Sequence, residues 1–212
     1  MKVSDILGPR ALDADIQTRL HDLFEDGWEH WHRFDAEVRQ REFHPFVNAD
    51  YRVVLQALLP LRPFGGRFLE WGSGTGVITI MADLLGFDAH GIELDAQLVE
   101  VARTLAHRHG SKARFAVGSF LPTGYRWKPR TGRRTRFAGA EGDDRMGTIG
   151  SGESAYRALE IPLDEFRWVY GYPWTGEEAL MMDLMQRYGS KDAELLMYRG
   201  TQTVERLPGG KA

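Results

Sequence analysis

The stretch that decides the fold is Glu70-Trp71-Gly72-Ser73-Gly74-Thr75-Gly76. It ends an apolar run that begins at Arg67, and a helical pattern of apolar residues starts directly after it at Val77. This order predicts a buried strand that stops, turns on glycines and continues as a helix. Glycines adopt positive φ and have no Cβ, so a ligand can lie directly against the backbone of such a turn. An acidic residue at the end of the strand favours a cationic or amine-bearing ligand.

The spacing of the glycines separates two kinds of nucleotide-binding loop. A dinucleotide-binding loop has the pattern Gly-x-Gly-x-x-Gly, and counting from Gly72 places Val77 where its third glycine should be. The observed pattern, acid-x-Gly-x-Gly-x-Gly, resembles the first motif of the class I S-adenosylmethionine-dependent methyltransferases. Glycine-rich turns also connect strands and helices in proteins that bind no ligand. The glycine spacing alone therefore does not establish a cofactor-binding loop.

The composition is that of an ordinary globular protein. A chain of 212 residues suffices for one α/β domain with a small addition. The formal net charge of −3 gives no global indication of nucleic acid or membrane as the main partner. The absence of cysteine excludes disulfides and thiolate catalysis, and no apolar run approaches the ~20 residues that span a bilayer. We therefore expect a cytoplasmic protein.

Two regions are expected along the chain. Residues 1–62 read as an N-terminal helical cap, because apolar residues recur at helical spacing from Asp13 to about Gln40 and again from Tyr51. Residues 63–212 read as the methyltransferase core. In families that resemble this one, the segment before the glycine-rich strand often covers the bound cofactor. The candidates for that role here are His44, Phe46 and Tyr51.

The core alternates strands and helices, which predicts an α/β fold with a doubly wound, mostly parallel sheet. About five strands are expected, over residues 67–71, 89–93, 113–117, 166–170 and 193–198. Ligands of such sheets bind at the carboxyl ends of the strands. Compared with the family, the C-terminus is truncated, with at most one short edge strand around Val204. An open edge invites pairing with another chain, for example in a homodimer.

The resemblance implies a set of S-adenosylmethionine-binding residues. It places Glu70 near the amino group of the cofactor and the glycine loop beneath its methionine and ribose. It implies that Glu93, at the end of the second strand, accepts the ribose hydroxyls, for which paired carboxylate oxygens are suited. Where the family often has an acidic residue that reads adenine, this chain has Ser119. The full set is Glu70, Gly72, Ser73, Gly74, Thr75, Gly76, Glu93, Leu94, Gly118, Ser119 and Phe120.

The acceptor pocket is expected at the end of the fourth strand, with Tyr170, Tyr172 and Trp174 as candidate residues. This stretch loosely resembles the Asp/Asn-Pro-Pro-aromatic motif of enzymes that methylate amino nitrogens. Only Pro173 and Trp174 match, so the motif does not identify a nitrogen acceptor. If the strand continues, Tyr170 and Tyr172 point to opposite faces and only one of them faces the pocket. The sequence identifies neither a general base nor a metal site.

A long insertion is expected at about 122–162, where the periodicity is weak. Its basic cluster, Arg130, Arg133, Arg134 and Arg136, lies near Trp127 and is followed by acidic residues. Such a cluster can bind an anionic substrate or a nucleic-acid backbone. Loose pairing of the basic and acidic halves in solvent is the interpretation we favour, with one short helix from Ser154 to Leu159.

Together these features predict an S-adenosylmethionine-dependent methyltransferase that acts by in-line displacement on an unidentified acceptor. Methyl transfer requires little beyond geometry, because the sulfonium is already a strong electrophile. Aminopropyltransferases share the fold, but they require carboxylates at the tip of the fourth strand, and Tyr170-Gly171-Tyr172 supplies none. The alternative is a non-catalytic S-adenosylmethionine-binding subunit or partner-docking module, which would bind the cofactor without turnover.

Overall fold

The computed structural model describes residues 12–39, 46–126, 152–174, 176–200 and 202–210. At its centre lies a six-stranded sheet with the order β3-β2-β1-β4-β5-β6. Strands β1 to β5 run parallel, and β6 runs antiparallel to β5 along the edge. The strands are β1 Arg67–Trp71, β2 Asp88–Glu93, β3 Arg114–Val117, β4 Trp168–Gly171, β5 Glu194–Arg199 and β6 Thr203–Pro208.

Helices cover both faces of this sheet. Helices α1 Ala14–Phe34, α2 Tyr51–Leu58, α3 Val77–Leu84 and α4 Ala96–Arg108 pack in the core on one face. Helices α5 Tyr156–Leu159 and α6 Glu178–Tyr188 pack in the core on the other. A π-helical turn, Asp35–Arg39, follows α1, and 3₁₀ turns occupy Leu59–Phe64 and Leu163–Glu165. The predicted doubly wound α/β class is therefore confirmed.

The alternation of side chains along β1 decides which groups reach which layer. Phe68 belongs to the core shared with α1–α4, and Glu70, two residues further on, bonds to Thr79 of α3. Leu69 and Trp71 belong to the opposite core, with α5 and α6. At the carboxyl end of β1, the Glu70 carboxyl group therefore lies on the α3 face of the sheet, and the Trp71 indole lies on the opposite face.

Gly27, within helix α1, allows close packing between helices. The helix continues through this glycine without interruption. A Cβ on Gly27 would lie 2.7 Å from Cγ2 of Val77 and 3.0 Å from the Tyr51 hydroxyl. The glycine therefore permits close approach of α1 to the start of α3 and to α2.

The predicted strand number needs one refinement at the edge. Strand β6 includes Val204, where at most a short edge strand was predicted. It has six residues and pairs with β5 from Thr203 to Pro208. Four of its six side chains are exposed, and only Val204 and Leu207 are partly buried.

Both ends of the predicted insertion are attached to the core. Tyr125 donates from its hydroxyl to Asp183 of α6 at 2.9 Å, and Ser154 forms a parallel bridge with Ser119. The predicted short helix is present as α5. The basic cluster at 130–136 lies outside the described residues. Within the described residues, no helix is both long and apolar enough to cross a membrane.

Candidate functional site

The glycine loop between β1 and α3 is held by backbone bonds. Gly72, Gly74 and Gly76 have φ of 71°, 52° and 79°. The amides of Gly72 and Ser73 both donate to the Ile92 carbonyl at 2.9 Å, which ties the loop to the end of β2. A side chain would be strained at each of these three glycines. The loop is therefore a fixed turn whose shape depends on glycine.

Glu70 is a buried carboxyl beneath this loop, with 4% of its surface exposed. Its Oε2 accepts hydrogen bonds from the Thr79 amide at 2.9 Å and from the Thr79 hydroxyl at 2.5 Å. Burial raises the pKa of Glu70 to about 8, although the bonds from Thr79 favour the ionised form. The predicted amine-facing acid thus also caps the first turn of α3.

Glu93 ends β2 and reaches across to the glycine loop. Its Oε2 accepts from the Gly74 amide at 2.9 Å, and its Oε1 accepts from the amides of Leu94 at 2.7 Å and Asp95 at 3.0 Å. The carboxylate is half-buried, unlike that of Glu70. It therefore presents a fixed pair of acceptor oxygens beside the loop.

Two adjoining cavities lie at the carboxyl edge of the sheet. The large cavity, about 330 Å³, is lined on the strand side by Trp71, Gly72, Glu93 and Phe120. Its other wall includes Tyr172, Pro173, Trp174, Glu177, Glu178 and Met181. The small cavity, about 30 Å³, is lined by Glu70, Ser73, Thr75 and Tyr170, among others. Phe46, Val47, Gly72 and Tyr172 line both cavities.

Buried polar atoms without a partner gather around the small cavity. They are the hydroxyls of Ser73 and Tyr170, neither of which has a hydrogen-bond partner among the described residues. Burying a polar group without a partner costs free energy. The small cavity is therefore suited to a polar ligand group or ordered water, and its donors and hydroxyl oxygens fit the amino-acid end of S-adenosylmethionine.

The N-terminal segment reaches the glycine loop through Phe46. A Cβ added to Gly74 would collide with the Phe46 ring, so this ring lies on the bare face of the glycine. Phe46 packs edge-on against Trp31 and Phe34, with ring centroids 5.2 Å and 5.3 Å apart. Of the other predicted cover residues, Tyr51 lines the small cavity, and His44 lies outside the described residues.

The residues predicted to read adenine separate into two groups. Phe120 lines the large cavity and stacks on Trp71 with centroids 5.3 Å apart. Ser119 is used within the protein: its amide donates to the Glu153 carbonyl at 2.8 Å, and its Oγ accepts from the Leu121 amide at 3.1 Å. Gly118 donates to the Glu93 carbonyl at 2.8 Å. Neither Gly118 nor Ser119 is among the described residues that line the two cavities.

The remaining predicted cofactor residues have packing roles in this arrangement. Gly76 would place a Cβ 2.7 Å from both Ala102 and Phe115, so its bare face is packed against α4 and β3. Leu94 lies beside Gly152 of the insertion, where an added Cβ would be 3.1 Å from its Cδ2. Glu70, Gly72, Ser73, Thr75, Glu93 and Phe120 are the predicted cofactor residues that line a cavity.

The predicted acceptor residues lie together at the tip of β4. Tyr172, Pro173 and Trp174 line the large cavity, and Tyr170 and Tyr172 both line the small one. Of the two tyrosines, Tyr172 lines the large cavity, whereas Tyr170 lines only the small one. Strand β4 ends at Gly171, so the alternation of side chains does not extend to Tyr172.

Sequence reasoning missed Glu177 and Glu178 as cavity residues. Glu177 is 1% exposed and precedes α6, and its Oε2 accepts from the Trp174 amide at 3.0 Å. Glu178 accepts from the Gly176 amide at 2.9 Å. The available signal was an acidic pair a few residues after the aromatic stretch that ends a strand. Both carboxylates cap the turn that forms one wall of the large cavity.

Comparison with known proteins gives partial matches. No family model matches the chain. The ribosomal protein L11 methyltransferase of Thermus thermophilus is 40% identical over 77 residues, which cover 34% of this chain and 30% of that protein. The match therefore spans less than a third of the curated relative.

Solved structures are similar at low sequence identity. An RNA methyltransferase from Salinibacter ruber, in complex with S-adenosyl-L-homocysteine, has a TM-score of 0.46 and 20% identity, covering 71% of this chain and 76% of that one. A hypothetical protein of Thermus thermophilus has a TM-score of 0.47 and 18% identity, covering 74% of this chain and 76% of that one.

Proposed function

We propose that this protein is an S-adenosylmethionine-dependent methyltransferase. The observation that carries the proposal is the Glu93 carboxylate at the end of β2, bonded to the Gly74 amide beside the large cavity. A carboxylate and a glycine loop from adjacent strands form a site with paired acceptors beside the open face of Gly72, which suits a ribose and the chain attached to it. The local match to a ribosomal protein L11 methyltransferase supports methyl transfer.

Each part of the cofactor has proposed partners in this chain. Glu93 holds the ribose hydroxyls, and Phe120 contacts adenine from its stack on Trp71. Gly72, Ser73 and Thr75 hold the amino-acid end, together with Glu70 and the unpartnered hydroxyl of Tyr170. Gly74, Gly76, Leu94, Gly118 and Ser119 support this site by holding the backbone turns in place.

The chemistry left to the protein is positioning. S-adenosylmethionine supplies an electrophilic methyl group when bound, and the residues of the chain align an acceptor with it and exclude water. Tyr172 and Trp174 form the proposed acceptor wall of the large cavity. No general base is assigned.

The cap and the insertion have proposed roles at the rim of this site. Residues 1–62 form a cap over the 63–212 core, supported by the Phe46 ring on Gly74. The insertion at about 122–162 is proposed to border the acceptor side, since Tyr125 is bonded to α6. A homodimer through the edge of β6, nucleic-acid binding by the basic cluster and a cytoplasmic location stay predictions.

Titration of the purified protein with S-adenosylhomocysteine in a calorimeter tests the proposal. We expect one site per chain and a rise in melting temperature with ligand. Glu93→Gln should weaken binding by about 1–3 kcal/mol, the scale of charged hydrogen bonds. Glu100→Gln, on the exposed face of α4, is the matched control and should bind as the unaltered protein does. If the unaltered protein shows no heat of binding and no shift in melting temperature, the proposal is wrong.

A further inference from the structure

Four of the described residues line both cavities of the site and form the border between them. They are Phe46, Val47, Gly72 and Tyr172. In the proposed binding mode, the amino-acid end of the cofactor lies in the small cavity and the ribose lies in the large one. The sulfonium sulfur is covalently bonded to both of these parts, so it passes this border. The border residues therefore form the surroundings of the positive charge.

None of the four border residues is charged. The two carboxyl groups at the strand ends line one cavity each, Glu70 the small one and Glu93 the large one. Phe46 and Tyr172 contribute aromatic rings to the border. An aromatic face attracts a ligand cation, and the attraction is stronger where water is excluded. A ring at the border can therefore stabilise a sulfonium without a carboxylate in contact with it.

The Phe46 ring is in contact with the glycine loop and with α1. It lies on the bare face of Gly74 and packs nearly perpendicular to Trp31 and Phe34, with centroid distances of 5.2 Å and 5.3 Å. These contacts place the ring over the loop. We therefore expect Phe46 to support both the charged and the neutral form of the cofactor.

Tyr172 lies on the acceptor side of the border. It follows the end of β4 at Gly171 and lines the large cavity together with Trp174. Its ring packs on Tyr198 of β5, with centroids 4.6 Å apart and an angle of 51° between the rings. Tyr198 is 4% exposed, and its hydroxyl accepts from the Asp50 amide at 3.2 Å, so this packing partner is itself held in place. The transferable methyl group has to face the acceptor, which is the side that Tyr172 occupies.

We infer that Tyr172 contacts the sulfonium of S-adenosylmethionine with its aromatic ring and thereby distinguishes the charged cofactor from its neutral product. The inference rests on the proposed function. Methyl transfer converts the sulfonium into the uncharged thioether of S-adenosylhomocysteine, which removes the attraction between the ring and the charge. The contact therefore favours binding of the methyl donor and release of the demethylated product.

Titrations of the full chain with S-adenosylmethionine and with S-adenosylhomocysteine, without an added acceptor, test this contact. Tyr172→Leu removes the ring and keeps an apolar side chain. We expect it to lower the affinity for S-adenosylmethionine about fivefold or more relative to the affinity for S-adenosylhomocysteine. Tyr172→Phe keeps the ring, so the ratio of the two affinities should stay within about twofold of that of the unaltered protein.

Two further variants serve as controls. Phe64 is 59% exposed in the 3₁₀ turn before β1 and lines neither cavity, so Phe64→Leu should leave the ratio unchanged. Phe46→Leu removes the other aromatic ring of the border. It should weaken both ligands to a similar extent, because the ring that covers Gly74 is lost.

A second measurement uses the unaltered protein and does not depend on the stability of a leucine variant. S-adenosylmethionine labelled with ¹³C in its S-methyl group is bound to protein in which only the tyrosine rings are protonated. We expect a nuclear Overhauser effect between the methyl protons and a tyrosine ring. The same signal should be absent from the complex with Tyr172→Phe.

Three results would overturn the inference while leaving the proposed function intact. One is a Tyr172→Leu protein that keeps the original ratio of the two affinities. Another is a methyl–tyrosine signal that is missing in the unaltered protein or persists in Tyr172→Phe. A third is a change of the ratio in Phe46→Leu alone, because Phe46 would then contact the sulfonium. Absence of S-adenosylhomocysteine binding by the unaltered protein would instead contradict the proposed function.

Discussion

The two sides of the site are built in different ways. On the proposed cofactor side, at β1 and β2, the functional groups also hold the fold together. Glu70 caps α3 through Thr79, and Glu93 accepts from three backbone amides. On the proposed acceptor side, residues 172–174 follow the end of β4 without secondary structure and are partly exposed.

This difference separates stability from recognition. A change at Glu93 or in the glycine loop removes hydrogen bonds or packing on which this part of the fold depends, so it should reduce stability and cofactor binding together. A change on the acceptor side alters a partly exposed wall, so it should affect acceptor binding with little loss of stability. The four predictions below test that separation.

The largest effect is expected at Gly76. Gly76→Ala should lower the free energy of unfolding by roughly 3 kcal/mol, because its Cβ would lie 2.7 Å from Ala102 and Phe115 at a φ of 79°. Gly86→Ala is the matched control: its φ is 98°, but its Cβ would have open space. It should cost roughly 1–2 kcal/mol, the backbone term alone. Equal losses in urea denaturation would show that packing at Gly76 is unimportant.

The second effect is a pH dependence from Glu70. Its folded-state pKa, about 8, lies above the ordinary value of 4.5, so the folded state binds more protons between these values. Stability from this group is therefore complete below about pH 4.5 and is lost as the pH rises through 8.

We expect the free energy of unfolding to fall by a few kcal/mol between pH 5 and pH 8.5 on account of Glu70, since one pKa unit corresponds to about 1.4 kcal/mol. Glu70→Gln keeps an acceptor for the Thr79 amide and hydroxyl and should remove this part of the slope. Chemical denaturation at each pH measures it, with Glu100→Gln as the control that should keep the slope. A Glu70→Gln protein with the original slope would contradict the assignment.

The strands, the glycine turn and the order of helices could be predicted from the sequence, because each depends on a pattern within one short segment. The glycine spacing at 72–76 and the apolar runs at β1, β2 and β5 predicted the strands, the turn and the order of helices within a few residues. The edge strand at Val204 was also anticipated. Each of these depends on periodicity or turn chemistry within one short segment.

The side-chain arrangement of the site depends on contacts between distant segments, which periodicity does not encode. Phe46 reaches Gly74 from the cap, and Ser119 is bonded to the far end of the insertion at Glu153. Glu177 belongs to the site because the chain turns back after Trp174. Composition and spacing identified the residue types near the ligand edge, but they could not show which of them face the same space.

Two buried tyrosines sharpen the comparison further. The Tyr156 hydroxyl accepts from Trp71 Nε1 at 2.9 Å, whereas the Tyr170 hydroxyl has no partner among the described residues. Tyr156→Phe should cost roughly 1–2 kcal/mol, because it leaves a buried indole N–H without an acceptor. Tyr170→Phe should change stability by less than about 0.5 kcal/mol.

For cofactor binding, the order of the two variants should be reversed, with the larger effect at Tyr170. Tyr170→Phe should weaken S-adenosylhomocysteine binding, by about 1 kcal/mol, if the hydroxyl serves the ligand. Tyr156→Phe should leave that affinity unchanged when corrected for folding. Thermal denaturation and calorimetry give both quantities. Lower stability combined with normal binding in Tyr170→Phe would mean that its hydroxyl is satisfied within the protein.

The smallest loss of stability is expected on the acceptor side, at Trp174. This side chain is partly exposed and lines the large cavity, and its backbone amide donates to Glu177. Trp174→Ala should therefore lower the free energy of unfolding by less than about 0.5 kcal/mol. Affinity for S-adenosylhomocysteine should stay within about twofold of that of the unaltered protein, because Trp174 belongs to the proposed acceptor wall. A stability loss at Trp174 as large as that at Gly76 would show that the acceptor wall supports the fold, and the proposed division between the two sides would then fail.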